Sequence, residues 1–493
     1  MKGRVPTSTL RVRIPAFEGI SVDTEEELLP LGYSSFAYNF TFEDKSLKSG
    51  FGITDGTCRY LLGESTYHEL PRFEDESIAI EYIHLYKRFD FERGKRDDRL
   101  IVKASDGYFY ETKVFERDVF HKIQNLGASG RECSCCYRYN NKDVFLLSSE
   151  IAGLFMYDGS TVVHIGDAPN ITSMCVHNER IFATIAGEGN SLWFSDDFDP
   201  MNWKISSQEG GFINFDDEGG RLNYVISFLD YLYIFRDYGI ERLTAYQQQS
   251  EFTVNKLYIG SGRILTDTIA SAGDSIIFMA EDGIYSFNGY SVNLLIKGIT
   301  SRLVGVKSHA NAAFINGVYY LACCLNYFDS NQILCEQLNF MKNNTLLIYN
   351  TVNRKFQLIR GVDIRRMLAV NILHQSSVLS IFHNQYSNRI GEFNKSGRVF
   401  GTVLPKHWSV APRDFGYPDR KKALRNFYIN TAYDVTVGIT TDDHTEQYHI
   451  KGSDSPVKIV VNRACSKAGF YISCTGPVAD ITNPVLEFAL TRG

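Results

Sequence analysis

The sequence predicts an all-β protein built around a β-propeller. Two observations carry that reading. The first is a hairpin that recurs along most of the chain, an alternating apolar run, a tight turn, and a second run that often closes on an aromatic. The second is an aromatic bias, 29 Tyr and 34 Phe against 3 Trp, which suits pleated and half-buried surfaces better than helices.

The first copy is RLIVKASDGYFY, Arg99 to Tyr110, where Asp106-Gly107 is a strong two-residue turn signal. Further copies start at Asp143 (DVFLLSSEIAGLFMYDG), Arg180 (RIFATIAGEGNSLWFSDD), Asp230 (DYLYIFRDYGIERL) and Asp274 (DSIIFMAEDGIYSFNG). The sixth, NGVYYLACC from Asn316, resumes at NTLLIYNTVNRKFQLI from Asn344, and the stretch Asn326 to Asn343 between them reads as a blade loop. The seventh is SVLSIFHNQYSNRIGEF, from Ser377. Anchored on Ile101, Phe145, Phe182, Tyr233, Phe278, Tyr319 and Ile381, the copies recur at spacings of roughly 37 to 62 residues. Four-stranded propeller blades repeat at about 40–50 residues, so the expectation is six or seven blades, with the hairpins as the two inner strands of each. One short helical turn is expected at Thr24 to Leu29, with Asp23 as its N-cap and Pro30 as its stop.

The ends differ from the middle. Residues 1–50 read as an extended arm with a first strand pair, and 51–404 as the propeller. Residues 405–493 read as a linker marked by Pro405, Pro412 and Pro418, then a small β-sandwich.

The net charge of −6 argues against a protein that grips DNA by its phosphates. No apolar run reaches the length of a membrane-spanning helix, and the first ten residues lack the layout of a secretory signal. The ten cysteines are read as reduced, mostly buried thiols. Cys133, Cys135 and Cys136 invite a zinc reading, but no second knuckle or His pair accompanies them.

Little else resembles chemistry. Ser195, Asp197 and Trp203 in SDDFDPMNW resemble the Asp-box of sialidase-type propellers, where such residues fix a turn. Asp216, Asp217 and Glu218 lack the alternation of a calcium loop. No nucleophile elbow or phosphate loop is present, so no catalytic residue, metal or cofactor is expected. Two basic patches are candidate subunit contacts: Arg88, Arg93 and Arg96 before the first hairpin, and Arg413, Lys421 and Lys422 in the linker. Trp408 and Tyr417 read either as glycan-stacking aromatics or as residues that pin the linker to the propeller.

The segment YSSFAYNFTFEDKSLKSGFGI resembles the opening of phage tail and neck β-propeller proteins, similar to the tail-nozzle and packaged-DNA-stabilisation proteins of short-tailed phages. Asn39, Phe40, Asp44, Leu47 and Gly50 match that pattern, and Ser49 replaces a basic residue. The resemblance extends through the hairpins to about residue 300. It implies a non-enzymatic virion protein, assembled in the host cytoplasm into a ring of identical subunits. The implied partners are other tail or neck proteins, double-stranded DNA passing without sequence-specific contact and, in the alternative reading, a host-surface glycan.

Overall fold

The computed structural model describes residues 9–61, 64–91, 93–114, 119–206, 209–245, 249–303, 309–325, 341–372, 375–383, 385–442 and 444–490. Its regular structure is almost entirely β, with three single-turn 3-10 helices among the described residues. Residues 326–340 of the expected blade loop lie outside them.

Six sheets of four antiparallel strands follow one another along the chain, each paired in simple sequence order. The first begins at Ile80–Tyr86 and continues through Arg99–Ala104, Tyr108–Lys113 and His121–Asn125. The sixth ends at Lys355–Arg360. A seventh sheet takes Ile364–Ile372, Gln375–Phe382 and Gly391–Asn394 and receives its fourth strand, Gly52–Thr54, from the other end of the chain. The first strand of each sheet touches the first strand of the next, and that of the seventh returns to the first. This cycle means that no terminal sheet is left with an open face, and the strand exchange ties the segment just before the first sheet to the last sheet.

All seven recurring hairpins fall in these sheets, but they are the second and third strands rather than the two inner ones. The physical reason is burial. Middle strands such as Arg180–Ile185 and Ile276–Ala280 are buried along their whole length, whereas an outermost strand such as Thr253–Ile259 is largely exposed. Only strands covered on both faces write a continuous apolar signal.

The N-terminal arm is not separate from the C-terminal sandwich. A six-stranded sheet joins Ser453–Cys465, Lys422–Thr431 and Asp480–Leu490 to the arm strands Thr9–Arg13, Thr41–Glu43 and Ser46–Lys48. The facing five-stranded sheet joins Lys406–Arg413, Ala468–Cys474, Val435–Thr441 and His444–Ile450 to Ala37–Tyr38. Their inner faces meet through Phe427 against Phe470 at 4.9 Å, and Phe17, between the arm's strands, packs on Trp408 at 4.7 Å, both edge-on. The same apolar core runs on into the fifth and sixth sheets through Ile296, Tyr319 and Leu358.

The residues that carried the family resemblance all serve this weave. Asn39, at φ 62°, accepts the Arg360 N–H at 2.7 Å and donates its amide to the Pro405 carbonyl at 2.7 Å, binding the sixth sheet to the linker. Asp44 and Lys45 form a left-handed two-residue turn, and Phe40 and Leu47 are buried. A Cβ on Gly50 would meet the Thr41 side chain at 2.5 Å. The expected turn at Thr24 to Leu29 appears as Glu26–Leu28, but Asp23 does not cap it. Its carboxylate instead accepts the N–H groups of Thr300 and Ser301 at 2.8 and 3.0 Å.

Candidate functional site

The axis of the sheet cycle is filled by charge. Asp267, on the first strand of the fifth sheet, accepts from Arg131 at the entry to the second and from Arg366 in the seventh, each at 3.1 Å. Arg131 also donates to the Asn223 carbonyl of the fourth sheet at 3.2 Å. The Arg366 guanidinium lies 4.1 Å from the Tyr82 ring, and the Tyr82 hydroxyl donates to the Gly130 carbonyl at 3.0 Å. Beside them Lys103 pairs with Glu132 at 2.9 Å and Glu81 at 3.3 Å, while His84 shares a hydrogen bond with Ser134 at 2.9 Å.

The Arg131 and Asp267 contacts reach across the cycle between sheets that are not neighbours, while those of Tyr82, Lys103 and His84 tie neighbouring sheets together. They lie toward the end where each fourth strand hands over to the next first strand, called the sealed end because these charges pair with one another there. Burial alone would raise the Asp267 carboxyl, but Arg366 and Arg131 outweigh it and hold it below its ordinary range. Burial likewise opposes the charge on Lys103, and Glu132 and Glu81 more than offset it, raising its pKa.

The opposite end carries the turns between first and second strands and between third and fourth strands. In antiparallel four-stranded sheets these turns emerge together. Phe89, Phe91, Val119, Phe198, Ile205, Leu229, Tyr290 and Val352 are exposed there, against Ile151, Tyr238, Ile259 and Leu294 at the sealed end. Isolated surface apolar residues are ordinary; their gathering at one end is not.

The basic patch before the first hairpin lies at this turn end, on a small projecting hairpin, Phe89–Asp90 with Lys95–Arg96. Its cations have local partners: Arg88 with Asp97 at 3.4 Å, Arg93 with Asp90 at 3.7 Å and Arg96 with Asp98 at 2.7 Å.

The linker candidates need correction. Arg413 is buried and donates to the Leu29 and Glu26 carbonyls at 2.5 and 2.8 Å. Lys422 is 1% exposed and donates to the carbonyls of Tyr417, Arg420 and Ser466. Both cations are consumed inside the sandwich, so neither reaches a neighbouring subunit. Lys421 is exposed. Trp408 is fully buried in the sandwich core, which removes it as a glycan platform and leaves its packing role; Tyr417 is half-buried on the following loop.

The Asp-box-like stretch forms a structural turn between the third and fourth strands of the third sheet. Trp203 is buried and donates to the Pro200 carbonyl at 3.0 Å, and the Ser195 hydroxyl accepts the Ile181 N–H at 3.0 Å. Asp217 is not merely a solvated loop residue. Lys256 first, then the Gly219 N–H and buried Arg236, hold its carboxyl down to about 2. Cys133 and Cys135 alternate to one side of their strand and pack with the second and third sheets, and burial pushes the Cys133 thiol up to about 12. Among the described residues no three His, Cys, Asp or Glu side chains are grouped as a metal site.

Sequence reasoning missed the axial ion cluster altogether. Arg131, Asp267 and Arg366 stand far apart along the chain, and only ring closure brings them together.

No family model matches the chain, and no curated protein does. Among solved structures it aligns with BBS1N in complex with ARL6DN, soaked with lead, at 10% identity over 64% of this chain and 92% of that one, with a TM-score of 0.40. A mercury-soaked crystal of the same complex aligns at 10% identity over 60% and 87%, with a TM-score of 0.37. A likeness this distant carries no argument about function. Neither structure is of a tail or neck protein: the expectation of a phage-tail ring subunit on a DNA path is not upheld, and its tail, neck and host-surface partners find no support. No helix among the described residues is long and apolar enough to cross a membrane.

Proposed function

We propose that the chain is a seven-bladed β-propeller, buttressed by a β-sandwich, that works by binding a partner protein rather than by catalysis. The observation that carries this reading is the asymmetry of its two ends. One is closed by ion pairs that consume their own charges; the other presents large apolar side chains on turns from five sheets: Phe91, Phe198, Leu229, Tyr290 and Val352. A closed ring holds these turns in fixed relative positions, so little ordering entropy opposes docking on them.

The test is affinity purification of the full-length chain from the cells that make it, beside a variant with Phe91, Leu229, Tyr290 and Val352 each changed to Ser. A stoichiometric protein partner held by the parent and lost by the variant is the expected result. Equal recovery with both, or no stoichiometric partner with the parent, overturns the proposal.

A further inference from the structure

We infer that the turn end of the third to fifth sheets is a docking surface for a basic amphipathic segment of a partner protein. This deepens the scaffold reading and rests on it.

The first observation is backbone geometry. The turns between first and second strands need left-handed residues, and the sequence mostly supplies Asn there: Asn140 and Asn141 in the second sheet, Asn178 in the third and Asn316 in the sixth. Asn tolerates that conformation because its short side chain bonds locally. The fourth sheet places Leu229 there instead, at φ 47°, followed by Asp230 at φ 62°. Phe198, on the third sheet's next turn, stands at φ 59° with its N–H donating to the Glu179 carbonyl at 3.2 Å. A bulky residue in this region strains the backbone, and burial would be the usual compensation. Neither residue has it: Leu229 is 54% exposed and Phe198 68%. Folding recovers only part of that cost through their half-covered side chains, so their placement points to a contact outside the chain.

The second observation is charge. Glu179 and Asp230 are exposed on the same turns, with Glu251 and Asp274 on adjoining ones; Asp197 is exposed beside them but already pairs with Arg180 at 3.6 Å. Lys204 is the exposed basic residue that shares these turns among the described residues. Carboxylates around an apolar centre favour a partner with the opposite sign and an apolar stripe, which an amphipathic helix rich in Lys or Arg provides.

The experiment uses the full chain and two model peptides of about 18 residues with the same Leu stripe, one with Lys and one with Glu on the polar face. Binding is read by fluorescence anisotropy for the parent, Leu229→Asn and Phe198→Asn. The Lys peptide should bind the parent at least about tenfold more tightly than the Glu peptide, and each substitution should weaken it about tenfold. The melting temperature of Leu229→Asn should equal or exceed the parent's, because Asn suits the left-handed position. Equal binding of the two peptides, unchanged binding by the variants, or a lower melting temperature for Leu229→Asn would overturn the inference. If the parent retains a stoichiometric partner in cells while the Lys peptide ignores this patch, the scaffold reading stands and this inference falls.

Discussion

The two ends of the ring use the same sheets in opposite ways. At the sealed end, polar and charged side chains from the first, second, fifth and seventh sheets satisfy one another across the axis. At the turn end, apolar side chains face solvent and two of them hold strained backbone. An interaction that closes on itself contributes to the fold and leaves nothing for a partner. A side chain that strains its backbone and stays largely in solvent is where binding is to be sought.

The largest expected effect breaks the sealed end. Asp267→Ala leaves the Arg131 and Arg366 guanidinium groups facing each other without their shared carboxylate, and should cost about 3 kcal/mol in denaturant unfolding. A loss under about 0.5 kcal/mol, the level of an ordinary surface change, would show that the axial cluster does not hold the ring.

Next is the acid response of the same cluster. The Asp267 carboxyl is depressed in the folded state, so its stabilisation is present above the unfolded value of about 4 and is lost as pH falls through the lower folded value. The melting temperature of the parent should therefore fall more steeply below about pH 4 than that of Asp267→Asn, which has no charge to lose there. Parallel acid limbs would contradict the assignment.

Smaller effects are expected at the turn end, and of opposite sign. Leu229→Asn should raise stability by about 0.5 kcal/mol by relieving the left-handed Leu. Val352→Ser, at a residue 85% exposed, should stay within about 0.5 kcal/mol of the parent in the same assay. Substantial destabilisation by either would mean that the turn end is packed, and the contrast between the ends would fail.

Much of the fold was legible in the sequence because its middle strands are buried on both faces. Asp106-Gly107, at the second turn of the first sheet, marked its hairpin correctly, with Gly107 at φ 84°. The innermost strands were not legible, since those near the axis mix His84, Ser134 and Arg366 with apolar residues and break the alternation. The arm looked separate because strand exchange with the C-terminal sheets joins Thr9–Arg13 to Asp480–Leu490 across nearly the whole chain, a distance no local pattern records. Of the candidate site residues, Arg413 and Lys422 misled, and the two readings of Trp408 stayed open, for one reason. Composition shows a cation or an aromatic, but not that backbone carbonyls or a second sheet already enclose it.

The contrast between the ends is tested most directly by hydrogen–deuterium exchange on the full chain, alone and with its purified partner. Binding should slow exchange in 195–206 and 228–231, on the turn end, and leave 128–131 and 364–367 unchanged. Slowed exchange at the sealed end, with the turn end unaffected, would contradict that contrast.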